Sequence, residues 1–390
     1  MALPAKRPRD LRLDFFRGLA LVFIFIDHVP DNVLGCFTLR SFGFCDAAEV
    51  FIFISGVSAG LAYNNAIDRY GIAFGISAIF RRAWRLYEIH MFLFIVLAAL
   101  ISHTVIAFRN PMYNEEMGIG FFFTEPSAAI INALLLKFQP QFLDILPLYI
   151  VMLLSLSLVI FIARLSMTAV FLASGLLYIL VQIDPGIHPP AYPEGATWYF
   201  NPFAWQFLFI FGFLIGYRKL LGMGHLISGT RWAVAAWLVV VFSAVLNISW
   251  TVHWAYSSFP ALLIDHFPQI SKTDLSPLRL INFLALAFLI KNLLLPEHWL
   301  FRTCASQPLI LCGQHSLPVF CIGILLSVIA HITLVEFGHG LIIQCIVNSV
   351  GISLIVGSAY LIAWFNTLSL RDEASVTVKR GPASLVHTVD

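Results

Sequence analysis

Apolar stretches of helix length recur along almost the whole of this chain, and they decide what it can fold into. Ten such stretches fall at 13–30, 47–64, 86–108, 143–163, 167–183, 204–217, 232–250, 278–295, 309–335 and 341–365. Most are long enough to cross the hydrocarbon of a bilayer. Only 11% of the 390 residues are charged, 59% are hydrophobic, and the mean hydropathy is +0.87. Soluble domains carry about a quarter charged residues, so this chain lacks the polar side chains to cover a water-soluble globule. The expectation is an all-α, polytopic membrane protein with about ten transmembrane helices. The sixth stretch is short and follows Asn201-Pro202, which suits a tilted helix or one that begins inside the bilayer. Residues 70–80 and 118–136 are apolar as well, but too short or too broken by Gly and Pro to count as spans. No internal repeat is visible.

Orientation follows from the basic residues, which gather on the cytoplasmic side of a membrane. With the N-terminus inside and ten spans, the outer segments hold five of the 23 Lys and Arg: Arg40, Arg109, Lys137, Lys272 and Arg279. Arg17 lies within a span, and all the others fall inside. Both termini are therefore expected in the cytoplasm. Residues 1–370 read as one transmembrane domain and 371–390 as a polar, disordered cytoplasmic tail. The basic N-terminal segment resembles a secretory leader, but no small-residue cleavage pattern follows and the apolar run carries Asp27-His28, so it reads as a retained span. A net charge of +2, without a basic stretch interleaved with aromatics, gives no sign of nucleic-acid binding. Cys36 and Cys45 share one outer loop and could pair; unpaired thiols are the favoured reading, and no metal spacing exists among the six cysteines.

The first span carries Asp14, Arg17, Asp27 and His28. Ionisable groups are costly in hydrocarbon, so such a span marks a functional site by default. Arg17 and His28 are eleven positions apart, which places them within about 20° of one helix face and roughly 16 Å apart along the axis. His28, near the outer end, is the candidate general base, because imidazole titrates near neutrality. Asp27, or Glu49 at the same depth on the second span, is placed to orient it. Asp46 and Glu49 open that second span, where carboxylates also serve as helix caps. For Glu49 the cap and the catalytic partner are equally open; for Asp46 the cap is favoured. Arg17 either neutralises Asp14 one turn away or binds a phosphate or acyl carbonyl of a ligand entering from the cytoplasm.

Arg81-Arg82-Ala83-Trp84-Arg85 enters the third span from inside. It is either a positive-inside anchor or a mouth for an anionic ligand such as the phosphates of coenzyme A, with Arg85 as the candidate contact. Asp144, Trp205 and His315 are further polar intrusions that suit helix ends or the lining of a central cavity. Tyr192, Trp198, Tyr199, Asn201, Trp254 and Tyr256 enrich the outer loops, either as an interfacial belt or as stacking faces for carbohydrate. No Gly-rich phosphate loop, nucleophile elbow or metal motif is present.

Several blocks together resemble the OpgC family. These are Leu13-Asp14-Phe15-Phe16-Arg17-Gly18-Leu19-Ala20 with Asp27-His28, Leu39 to Phe44, and Asp46-Ala47-Ala48-Glu49 running into Phe51-Ile52-Phe53-Ile54-Ser55-Gly56. The others are Phe142 to Tyr149, Asn201-Pro202-Phe203-Ala204-Trp205-Gln206 and Gln314-His315-Ser316-Leu317-Pro318-Val319-Phe320. The ten-residue gap between Arg17 and His28 is similar to the Arg-x10-His pattern of the wider membrane acyltransferase 3 group, and the second-span block resembles that group's motif. Gln314 stands where a small residue is expected. The resemblance implies a multi-pass protein of the bacterial inner membrane that succinylates osmoregulated periplasmic glucans. It implies succinyl-coenzyme A, or a similar acyl-coenzyme A, as donor substrate, with no bound cofactor. On that reading His28, Glu49 and Asp27 are catalytic, and Arg17, Asp14, Arg85, Asp144, Trp205 and His315 contact substrate. The rival readings are a secondary transporter using the same buried charges, against which the lack of repeated halves and of paired broken helices counts, and an acyltransferase acting on a lipid or another envelope polysaccharide.

Overall fold

A computed structural model describes residues 9–184, 186–223, 229–251 and 270–379. Among them the protein is all-helical. Each of the ten expected stretches holds one main helix. They are α1 (Leu11–Asp27), α2 (Ala47–Tyr70), α3 (Ile72–Phe108), α7 (Ile145–Leu165), α8 (Met167–Ile183), α9 (Pro202–Leu220), α10 (Thr230–Thr251), α11 (Pro277–Leu293), α13 (Ser316–Phe337) and α14 (Leu341–Lys379). Short helices α4 (Met112–Glu116), α5 (Gly120–Thr124), α6 (Pro126–Leu134) and α12 (Gln307–Gln314) fill the connections.

Six of these helices, α2, α3, α7, α10, α13 and α14, are long and apolar enough to cross a membrane. The other four differ for visible reasons. Helices α1, α8 and α11 have 17 residues each, and α1 carries Arg12, Asp14, Arg17 and Asp27. Helix α9 closes on the charged pair Arg218-Lys219.

The boundaries correct the sequence reading in three places. Residues 72–80 belong to α3, which runs for 37 residues and is joined to α2 by Gly71 alone. Gly71 has φ +86°, a conformation that a side chain would oppose. The stretch 309–335 is not one helix: α12 stops at Gln314, His315 adopts a non-helical ψ of 38°, and α13 restarts at Ser316. The tail expected to be disordered from 371 is helical as far as Lys379, and 380–390 lie outside the described residues.

Two close helix contacts hold the centre together. Gly56 and Gly60 on α2 face the carbonyls of Phe209 and Phe213, while Gly212 and Gly216 on α9 face those of Phe53 and Val57. Each helix thus presents a Gly-x-x-x-Gly stripe to the other's backbone, the small-residue packing that membrane helices use in place of a hydrophobic driving force. Likewise Gly18 of α1 sits on the Leu309 carbonyl of α12, and Gly313 of α12 on that of Asp14. These contacts bring α1 against α2, α12 and α13, so its polar residues look into protein.

Candidate functional site

Arg17 is the first test of that arrangement. Its guanidinium lines a cavity of about 220 Å³ between α1, α2, α3, α7 and α13. It donates to the Ser58 hydroxyl and reaches the carbonyls of Gly313 and Ile54, both at 3.5 Å. Arg82 of α3 shares the cavity, with Ser55, Tyr63, Tyr149 and Ser316 among its polar walls. Two guanidiniums on one small cavity favour an anionic or carbonyl-bearing ligand. The cavity extends as far as Phe51, Leu146 and Phe320; the rings of Phe51 and Phe320 stack at 6.1 Å and Tyr149 meets Phe51 edge-on at 6.5 Å. His28 is not among the residues that line it.

His28 follows the last turn of α1. Its Nδ1 lies 2.5 Å from the Ile24 carbonyl, and a carbonyl only accepts, so Nδ1 carries the proton and Nε2 is left as the basic atom. The ring meets Phe142 edge-on with centroids 4.6 Å apart. A main-chain carbonyl, rather than Asp27 or Glu49, therefore sets the tautomer. Asp27 is taken up elsewhere: it accepts from the Thr38 hydroxyl at 2.6 Å and pairs with Arg40 at 3.4 Å.

Glu49 is committed too. Asp46 and Glu49 form a reciprocal capping box at the start of α2, and Glu49 accepts from the Asp46 amide at 2.9 Å. Its second oxygen accepts from Arg279 Nε of α11 at 2.7 Å, and its side chain is 0% exposed. Arg279 also donates to Asp46 at 3.1 Å, while Lys272 reaches Asp46 at 2.7 Å. Burial opposes the charge on Asp46, yet Lys272 and Arg279 hold its carboxyl well below the usual carboxylate range. Burial likewise works against the Lys272 ammonium, but Asp46, Tyr199 and Glu49 raise its pKa overall.

Lys272 is the residue that sequence reasoning missed. The charges acting on His28 are those of Lys272, Asp46 and Arg40. The lysine also lies within electrostatic reach of Asp144 and Tyr199, and over the Phe200 ring at 5.6 Å. Its placement is enforced through the backbone. The Trp205 indole N–H donates to the carbonyls of Lys272 and Thr273, Gln182 to Asp274, and the Tyr178 hydroxyl to Leu275. Asn201 caps α9 and also donates to the Asp274 carboxylate. One signal for Lys272 and Arg279 was present in the sequence: they are two of the five cations that the expected topology places outside, away from the other basic residues.

Several expected contacts move accordingly. Trp205 is fully buried, so it braces the loop and offers no surface to a substrate. Asp14 is buried and bound through both oxygens by Arg9 at 2.5 and 2.8 Å, with Arg17 farther off at 3.9 Å. Arg85 is exposed and outside the cavity; Arg82, one turn before it, takes that place. His315 marks the break between α12 and α13 near Arg9 and Asp14, while the next residue, Ser316, lines the cavity. Asp144 lies within electrostatic reach of Lys272 and is not among the residues that line the cavity. Among the outer aromatics, Tyr199 is exposed and Trp198 buried; Trp254 and Tyr256 lie outside the described residues. All six cysteines are free.

No curated protein and no solved structure matches this chain. The family model described as OpgC protein matches residues 9–367, from the arginine that clasps Asp14 to the far turns of α14. With nearly the whole chain covered, including the helix that carries Arg17 and His28, the protein belongs to the OpgC family.

Proposed function

We propose that the protein is a transmembrane O-acyltransferase that passes a succinyl or similar acyl group from cytoplasmic acyl-coenzyme A to hydroxyls of a periplasmic glucan. Family membership implies a membrane acyltransferase-like activity on glucans. On this reading ten helices cross the inner membrane of a bacterium, with both termini in the cytoplasm. One observation carries it. A single helix presents a guanidinium to an inner cavity at one end and an imidazole with a free basic nitrogen to a charged outer cluster at the other.

The cavity is smaller than the roughly 300–1,000 Å³ that drug-sized ligands occupy. It suits the acyl and pantetheine arm, with the nucleotide left outside. Arg17 and Arg82 hold the donor. His28 Nε2 takes the proton of a sugar hydroxyl, the oxygen attacks the thioester carbonyl, the C–S bond breaks, and the imidazolium returns its proton to the leaving thiolate. A two-step route through acyl-His28 uses the same atoms. Either route requires the Phe51 and Phe320 rings to part so that the thioester reaches His28. Lys272, Asp46 and Arg40 set the field around the imidazole, and Tyr199 offers a face to the sugar.

The test is transfer of a labelled acyl group to glucan by purified protein in detergent. Transfer without a sealed compartment supports the reading and excludes a transporter, whereas a protein that acylates no glucan with any acyl-coenzyme A overturns it. His28→Ala is expected to abolish transfer while leaving the protein folded.

A further inference from the structure

His90 stands on α3 with 0% of its surface exposed, and neither ring nitrogen has a partner among the described residues. A buried polar group left unsatisfied is costly, so a position that keeps one needs a reason. Its place along α3 supplies the reason. Arg82 and Leu86 line the inner cavity. His90 comes one turn after Leu86, within about 40° of the same helix face, and about 12 Å along the axis from Arg82. On α2, Tyr63 and Phe51 mark two lining positions about 18 Å apart along the axis. Tyr63 lies within electrostatic reach of Arg82. Counted along the helix axes, His90 therefore falls within the axial extent of the cavity without being one of its lining residues.

We propose that His90 is a donor-positioning residue, sealed in the empty protein, that hydrogen-bonds an amide of the donor's pantetheine arm when the cavity wall opens to admit it. This rests on the acyl-coenzyme A reading above. A neutral imidazole offers one N–H donor and one acceptor nitrogen. A secondary amide offers one acceptor oxygen and one N–H donor, so the two are complementary, and pantetheine carries two such amides. On its own helix the lining residue one turn away, Leu86, supplies no competing partner. A carboxylate or an ammonium here would carry an uncompensated charge in the empty state; neutral imidazole does not.

The experiment compares wild type, His90→Leu and His90→Gln in detergent by three measurements: thermal midpoint without ligand, equilibrium binding of coenzyme A, and steady-state acyl transfer. His90→Leu removes the unsatisfied nitrogens and keeps the volume similar. It is expected to raise the midpoint, to weaken coenzyme A binding and raise the donor KM about tenfold, and to leave kcat and the glucan KM near wild type. His90→Gln restores a donor and an acceptor and is expected to recover most of the affinity. Unchanged coenzyme A affinity in His90→Leu overturns the inference. So does a lowered midpoint with unchanged donor KM, which is the behaviour of a packing residue. If the wild type binds coenzyme A but transfers no acyl group, the reading of function fails while the binding comparison still judges His90.

Discussion

Removing the Arg279 guanidinium is the sharpest probe of the outer cluster. Arg279 makes two charged hydrogen bonds, to Glu49 at 2.7 Å and to Asp46 at 3.1 Å. Hydrogen bonds to charged groups contribute about 1.5–3 kcal/mol each. Asp46 keeps Lys272, so most of the loss falls on Glu49, whose side chain is wholly buried and would retain only the Asp46 amide. Breaking a buried pair by deleting one partner costs about 3–5 kcal/mol, because the other charge is left uncompensated. Arg279→Met, which keeps the aliphatic stem, is therefore expected to lose about 3–5 kcal/mol. Adding Glu49→Gln removes the stranded charge and keeps the capping box, since Gln accepts from the same amide. The double variant is expected to recover about 2 kcal/mol, an interaction well above the roughly 0.5 kcal/mol scatter of independent sites. Reversible unfolding in mixed micelles measures all four corners of the cycle. Arg279→Met within 1 kcal/mol of wild type, or a cycle that adds up within about 0.5 kcal/mol, would refute the assignment of Glu49 to Arg279. In the second case the carboxylate would be free to serve His28.

Three further outcomes are expected. Arg17→Ala should raise the donor KM by more than tenfold, since a charge-assisted contact is lost, whereas an unchanged value would make Arg17 a structural partner of Ser58. Gly216→Val should cost more than about 3 kcal/mol and lower the yield of folded protein, because its side chain would meet the Val57 carbonyl; a folded yield equal to wild type would disprove the close α2–α9 contact. At the entrance to α1, Asp10 is partly buried, but Arg12 and Lys219 hold its pKa down to about 2. A depressed carboxylate stabilises the folded state above its unfolded pKa, and that stability drains as pH falls from about 4 through 2. Asp10→Asn should flatten this acid limb of an unfolding curve, and an unaltered limb would show that the pair contributes nothing.

What the sequence reveals is set by how local each feature is. Arg17 and His28 share a face because eleven residues of helix put them there, and the cap formed by Asp46 and Glu49 is written within four residues. The positions of the long apolar helices are likewise carried by hydropathy over a short window. The partners of these groups are not local. Arg279 and Lys272 come from more than 220 residues downstream, and the Ile24 carbonyl that fixes the His28 tautomer leaves no mark in composition. Arg82 and Arg85 are indistinguishable on a sequence line; only the packing of α3 against α2 and α7 turns one into the cavity and the other to the outside. The break at His315 is hidden because Gln314-His315-Ser316 lies inside a run whose hydropathy alone reads as one helix.

The hydrogen bonds that fix 271–276 have a wider consequence. Lys272 is anchored at its own peptide plane, by Trp205 from beneath and by Gln182 and Tyr178 on the residues that follow. Its ammonium is therefore held in register by the main chain of its own segment. Tolerance to loop grafts or length changes should follow those anchor points rather than surface accessibility. A Phe at 205 would loosen the chemistry from a distance without touching any reactant.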